Sequence, residues 1–237
     1  MNILNFFYIT ATIGLVVTIH EFGHAVSAII CKVPIKTINI GIPIWPKFKF
    51  KYKNIDITFT PWIILGFVQL DDEKLNNLHF LKRIVVYTSG PLSNIFAFLA
   101  TVTILAGPKE ALSGFVVFLA DFINIIGSLL SGSGASDVEI LSPIGIIDVG
   151  QQMLSENGVF VGLLVLWLSL NIGVAFLNLL PIPPLDGGKT FLSILSGVFG
   201  DTPKSKMASQ IVEVIFTLVL IIAFMLLIAK DIIKLFK

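Results

Sequence analysis

The chain has little of what anchors a secreted or soluble domain. It has one cysteine, Cys31, so no intrachain disulfide can form and no redox compartment can be read from it. Charged residues fill 13% of its 237 positions, against about a quarter in soluble domains, and the net charge is +1. A balance this near neutral gives no electrostatic case for nucleic acid, which needs a strongly basic face. Histidine is scarce too: His20, His24 and His79 are the only three. Apolar residues make up 55% of the sequence. They come in blocks long enough to cross a hydrocarbon core, which takes about 20 residues of helix.

Residues 3–31, 84–106, 159–180 and 211–229 read as membrane helices. The stretch 111–130 is also apolar, but Asp121 sits mid-run and Gly114, Gly127 and the Ser131-Gly132-Ser133-Gly134 tract interrupt it. It is expected to be amphipathic or partly embedded rather than a full crossing. The expected fold class is an α-helical integral membrane protein with a three-helix core, a fourth C-terminal span and a possible embedded helix at 111–130. A single membrane domain, 1–237, accounts for the length. The N-terminal run lacks a positive n-region and a small-residue cleavage site, so it is expected to be retained rather than removed as a signal peptide.

Basic residues crowd the segment after the first helix: Lys32, Lys36, Lys47, Lys49, Lys51, Lys53, Lys74, Lys82 and Arg83. The positive-inside rule makes the loop 32–82 cytoplasmic in a multi-pass protein of the cell membrane. Four crossings then put both ends of the chain outside, and a fifth would overturn that. Between residues 34 and 70 the pattern changes to period two. Lysines and aromatics alternate from Lys47 to Lys53, a turn follows at Lys53-Asn54, and Ile55, Ile57 and Phe59 alternate on the return. This predicts a β-hairpin with one greasy and one charged face. It either lies on the lipid headgroups or offers an edge strand to an extended substrate.

His20-Glu21-Phe22-Gly23-His24 fits the pattern H-E-x-x-H. Positions i and i+4 share a helical face, so both imidazoles can reach one zinc while Glu21 lies beside a metal-bound water. The blander alternative is a pair of interhelical histidines next to a snorkelling glutamate. Against it stands the cost of ionisable groups inside a span, about 2.5 to 3.5 kcal/mol for an acid at the helix centre on insertion scales. Catalytic zinc takes three protein ligands. His79 sits in a polar stretch and is expected to face solvent. Asp186 is the stronger candidate: it follows an apolar helix broken by Pro181, Pro183 and Pro184. Irregular backbone at membrane depth is tolerated where it lines a cavity or is buried in protein. Read in isolation, Asp186 would cap a Pro/Gly turn at the membrane surface.

Taken together, these motifs resemble the site-2 proteases, a family of intramembrane zinc metalloproteases. His20 to His24 and Asn178 to Gly188 lie in the family's order. Between them, Gly41 to Pro43 and Leu65-Gly66-Phe67-Val68 are similar to the family's membrane re-entrant β segment. Lys82-Arg83 and Ser89-Gly90-Pro91-Leu92-Ser93-Asn94 are similar to the opening of its second core helix, and Leu141 to Ile146 to a segment before its third. The resemblance implies one Zn2+ per chain held by His20, His24 and Asp186, with Glu21 as general base. It also implies a membrane-anchored protein or peptide as substrate, such as an anti-sigma factor or a signal-peptide remnant. Asn94 and Asn178 are candidates for binding the substrate backbone or the oxyanion; interhelical amide bonding is the alternative. Related bacterial proteases carry PDZ domains between the second and third core helices. Residues 107–140 are too few and too apolar for one, so none is expected. The competing function is a non-proteolytic zinc-binding scaffold or an ion transporter, although only one broken helix is found where transporters tend to pair them.

Overall fold

The computed structural model describes residues 3–41, 46–60, 66–131, 143–200 and 202–235. Of the motif residues named above, Pro43, Leu65, Leu141, Ser142 and the tract from Gly132 to Gly134 lie outside the described residues. Helix α1 (Ile3–Ile30) opens the chain. It stops where Lys32 takes a left-handed conformation (φ 60°) and the Val33 N–H closes back on the Ala28 carbonyl at 2.8 Å.

Four short strands follow: β1 (Ile35–Ile40), β2 (Phe48–Tyr52), β3 (Ile55–Phe59) and β4 (Gly66–Leu70). The predicted hairpin is β2 and β3, turning at Lys53 with φ 53°. Its register sets Phe48 opposite Phe59, Phe50 opposite Ile57 and Tyr52 opposite Ile55, so every pair on one face is apolar. Lys49 and Lys51 pair with Thr58 and Asp56 on the other face. Alternation alone indicated these two strands, and the family resemblance added a β segment at Gly66-Phe67-Val68, which lies in β4. In the fold the hairpin is one side of a four-stranded sheet ordered β2-β3-β1-β4, in which β1 runs parallel to β3 and antiparallel to β4. This changes which edge matters. β2 is the edge remote from α1, whereas β4 packs on α1.

After a short helix α2 (Asp72–Asn76), capped by Asp71, come α3 (Phe80–Ala106), α4 (Pro108–Ser131), α5 (Pro143–Asn157), α6 (Val159–Leu179), α7 (Asp186–Phe199) and α8 (Pro203–Leu235). Asp71 Oδ1 accepts the Lys74 backbone N–H, which holds its carboxyl below the usual carboxylate range. α3 and α8 begin four and eight residues earlier than the apolar runs alone indicated, because polar first turns extend both.

Side-chain contacts give the direction of each helix. Ser27 meets Ser89 and Val16 meets Asn94, so α3 runs antiparallel to α1. Ile9 clusters with Leu166, Val16 and Asn171 both meet Asn94, and His20 meets Asp186, so α6 runs parallel to α1. α7 continues in the direction of α6 and reaches the start of α3, where Ser196 meets Arg83 and Gly197 lies against the Phe80 ring. Together α6 and α7 act as one crossing helix broken at Leu180 to Leu185.

Among the described residues, five helices are long and apolar enough to cross a membrane, one of them Pro108–Ser128. The segment expected to be only partly embedded is therefore continuous and of spanning length, held by Phe118 edge-on to Phe98 and by Phe122 stacked on Phe176 at 4.9 Å. Yet α6 starts on the side where α3 ends, so α4 and α5 together must begin and end on that side. With only 15 residues, about 22 Å of rise, α5 is shorter than a hydrocarbon core. It packs against the first turns of α1 through Gly150 and Leu154 on Ile9.

Candidate metal centre

The centre lies where α1, α3 and the α6–α7 break meet. His20 is ten residues from the end of α1, about 15 Å inward along the helix. Close approach of α1 and α3 brings the groups together, and small residues permit it. A side chain at Gly23 would run into the Ser89 carbonyl and lie 2.7 Å from Ser93 Oγ. Ser93 Oγ donates to the Ile19 carbonyl at 2.8 Å.

The two ring nitrogens of each histidine have separate tasks. His24 Nδ1 is 2.8 Å from the Val86 carbonyl, which can only accept, so that nitrogen carries the proton. His20 Nδ1 is 2.8 Å from Asn94 Oδ1. Which end of that amide faces the ring is settled by its other end: Asn94 Nδ2 donates to the Val16 carbonyl at 3.1 Å and to Asn171 Oδ1 at 2.9 Å. Oδ1 therefore faces His20, and His20 Nδ1 is the donor. In both neutral rings the lone pair is then on Nε2.

These two lone pairs converge on a carboxylate. His20 Nε2 is 2.9 Å and His24 Nε2 3.1 Å from Asp186 Oδ2, and the two nitrogens are 3.3 Å apart. Three acceptors so close repel one another unless a cation lies among them. Ligand atoms about 2.0 to 2.2 Å from a tetrahedral metal sit about 3.3 to 3.6 Å apart, so the tightest pair needs to open by about half an ångström. Across from it, a Cβ on Gly90 would lie 2.7 Å from His20 Nε2 and closer still to His24 Nε2. Glycine keeps that volume clear. Among the described residues, His20, His24 and Asp186 are the one group of three able to hold a metal. The donor set and its spacing fit zinc.

Asp186 is the first residue of α7. Leu185 before it is extended, and the Lys189 N–H returns to the Leu185 carbonyl at 3.0 Å. Side chains at Gly187 and Gly188 would strike the Leu179 carbonyl and the Pro183 backbone, so these glycines let the new helix start tightly against the end of the old one. Glu21 follows His20 on α1, and its Oε2 accepts the Val68 N–H of β4 at 2.8 Å. Val68 pairs with Ile38 across the β1–β4 ladder while its N–H points the other way, out of the sheet edge toward α1.

Of the remaining sequence candidates, His79 stands apart from this group, exposed at the N-cap of α3. Cys31 is buried at the end of α1. Asn94 is fully buried and committed to His20, Val16 and Asn171. Asn178, near the end of α6, donates to the Val174 carbonyl of its own helix at 3.0 Å. Three participants escaped the sequence reading: the Val86 carbonyl, the Val68 N–H and Asn171. Only Asn171 leaves a trace in sequence, as an amide within an apolar run. A cavity of about 440 Å³ lies between α3, α7 and α8, lined by Arg83, Tyr87, Lys189, Ser196 and Glu213. Lys189 is one turn of α7 from Asp186, and Tyr87 adjoins Val86.

Comparison with known proteins identifies the family. Zinc metalloprotease RasP of Shouchella clausii is 29% identical over 136 residues, 57% of this chain and 31% of that protein. The protein of the same name from Bacillus licheniformis is 32% identical over 78 residues, 33% of this chain and 18% of that protein. The chain thus spans about a third or less of the length of these curated relatives. The family model for peptidase family M50 matches residues 8–222, a range that contains His20, Glu21, His24 and Asp186. The chain belongs to peptidase family M50, the site-2 protease family.

Proposed function

We propose that this chain is an intramembrane zinc metalloprotease in which His20, His24 and Asp186 hold one Zn2+ and Glu21 is the general base. The observation that carries this reading is the convergence of three lone-pair atoms at 2.9 to 3.3 Å, with both imidazole protons held on the far nitrogens. Bound zinc supplies Lewis acidity, polarising a carbonyl and acidifying water. Glu21 takes the proton of the attacking water and passes it to the leaving amine. Its Oε2 is tied to Val68, so Oε1 is the oxygen that moves the proton. Asn94 acts through His20 as a positioning residue, since its donors and its acceptor are all engaged. Asn178 remains the candidate for holding substrate backbone, at the α6 break.

The substrate is a membrane-anchored protein or peptide, of the anti-sigma-factor or signal-peptide-remnant kind the family resemblance implies. A helical substrate hides its amides and must be unwound for attack. The edge suited to holding it extended is β4, beside Glu21, rather than the hairpin edge β2, three strands farther away. A period-two loss of cleavage on N-methylating successive substrate amides supports strand addition; equal rates at all positions refute it. The sheet side of the membrane, with Lys32 to Arg83, is cytoplasmic by its positive charge. We read the chain as a single protease domain with a β insertion at 34–70 and no PDZ domain between α3 and α6.

The test compares wild type with Glu21→Gln on a single-span substrate in liposomes, with zinc measured in both. Full zinc content with cleavage reduced at least 100-fold supports the reading. Undiminished turnover removes Glu21 from the mechanism.

A further inference from the structure

We propose that Asn171 is a positioning residue of the metal centre, fixing the metal-facing tautomer of His20 through Asn94. This rests on the reading of His20 as a zinc ligand. Asn171 lies in α6 with no exposed surface, and its Nδ2 donates to the Trp167 carbonyl one turn earlier at 2.9 Å. That carbonyl can only accept, so the Asn171 amide has one orientation and presents Oδ1 to Asn94. Asn94 Nδ2 uses both of its protons, one on Asn171 Oδ1 at 2.9 Å and one on the Val16 carbonyl at 3.1 Å. Turning the Asn94 amide over would set its oxygen against two acceptors. Its Oδ1 is therefore held on His20 Nδ1 at 2.8 Å, where it requires a proton, and the lone pair stays on Nε2.

The order of dependence is one-way. A backbone carbonyl of α6 orients Asn171, Asn171 and a backbone carbonyl of α1 orient Asn94, and Asn94 orients the ligand on α1. Asn94 and Asn171 have no exposed surface, so a lost partner leaves a buried amide unpaired and every amide in the series must be satisfied by protein. A second polar bond between the same two helices, Trp167 Nε1 to Thr101 Oγ1 at 3.1 Å, fastens α6 to α3 without touching the Asn94 side chain. It is the natural control: it shares the structural task and lacks the connection to His20.

The experiment measures zinc affinity of the purified full chain in detergent by chelator competition, together with the visible absorption of the Co2+-substituted protein and the thermal midpoint. Loss of a partner that orients a metal ligand typically weakens binding 10- to 100-fold. Asn171→Leu and Asn94→Leu are each expected to do so and to shift the Co2+ bands. The double variant is expected to be no weaker than Asn94→Leu alone, because the two act in series. Thr101→Val, which removes the partner of Trp167 Nε1, should lower the midpoint and leave zinc affinity unchanged. Where Asn171→Leu does not fold, Asn171→Gln, which keeps the amide and displaces it by one methylene, is expected to weaken zinc at least fivefold. Zinc affinity within twofold of wild type in the folded Asn171 variant overturns the proposal, as do losses that simply add in the double variant. His20→Ala separates the two levels. If it binds zinc as wild type does, the ligand reading itself fails; if it loses zinc while the Asn171 variants bind normally, only the positioning role falls.

Discussion

Gly90 of α3 faces His24 of α1 so closely that a single methyl group on Gly90 would occupy the space in front of both imidazole Nε2 atoms. A helix interior ordinarily gains from Gly→Ala, by about 1 kcal/mol. Here the added carbon meets the groups that converge on the metal. Gly90→Ala is expected to lower zinc affinity at least tenfold, with the helical circular dichroism unchanged. Gly127→Ala, where nothing lies within 4 Å of the new carbon, should bind zinc normally. Equal zinc affinity in the two variants would remove the steric account.

Gly23 tests the helix contact rather than the metal. Its missing side chain lets α1 approach the Ser89 carbonyl. Gly23→Val forces the helices apart and is expected to cost about 1 to 3 kcal/mol, the usual range for overpacking. Thermal unfolding in detergent measures it. A midpoint equal to wild type would show that the contact between α1 and α3 does not depend on the missing side chain.

Removing the metal should loosen the fold locally. Three acceptor atoms from α1 and the start of α7 are left facing each other, and binding at 100 times the dissociation constant stabilises a fold by about 2.7 kcal/mol. Chelation is expected to lower the unfolding temperature and to raise hydrogen exchange in the first turn of α7, both reversed by Zn2+. No response in α7 would place the metal elsewhere.

Much of this centre was legible in the sequence because local chemistry marks it. His20 and His24 are four apart on an apolar helix, and Asp186 follows a run of prolines no helix could tolerate. The hairpin announces itself by strict alternation from Phe48 to Phe59. What stayed hidden depends on partners far along the chain. β1 and β4 are five or six residues each, and their pairing joins residues about 30 positions apart, so no local period predicts that Val68 will bond Glu21. α7 could not be separated from the proline break because its start is fixed by Gly187 and Gly188 fitting under α6, a tertiary contact. The length of α4 was masked by Asp121 and the glycines, which packing of Phe118 and Phe122 outweighs. Asn94 was visible as a polar residue in a span, but a sequence does not say whether such an amide faces a substrate or a histidine.

The most direct test of the account is zinc K-edge X-ray absorption on the purified chain and on Asp186→Ala. The account predicts two imidazole ligands and light N/O donors at about 2.0 to 2.2 Å in the wild type, with no sulfur shell. It predicts that Asp186→Ala loses one oxygen donor and most of its zinc affinity. A sulfur ligand from Cys31, a third imidazole from His79, or an unchanged spectrum in Asp186→Ala would contradict it.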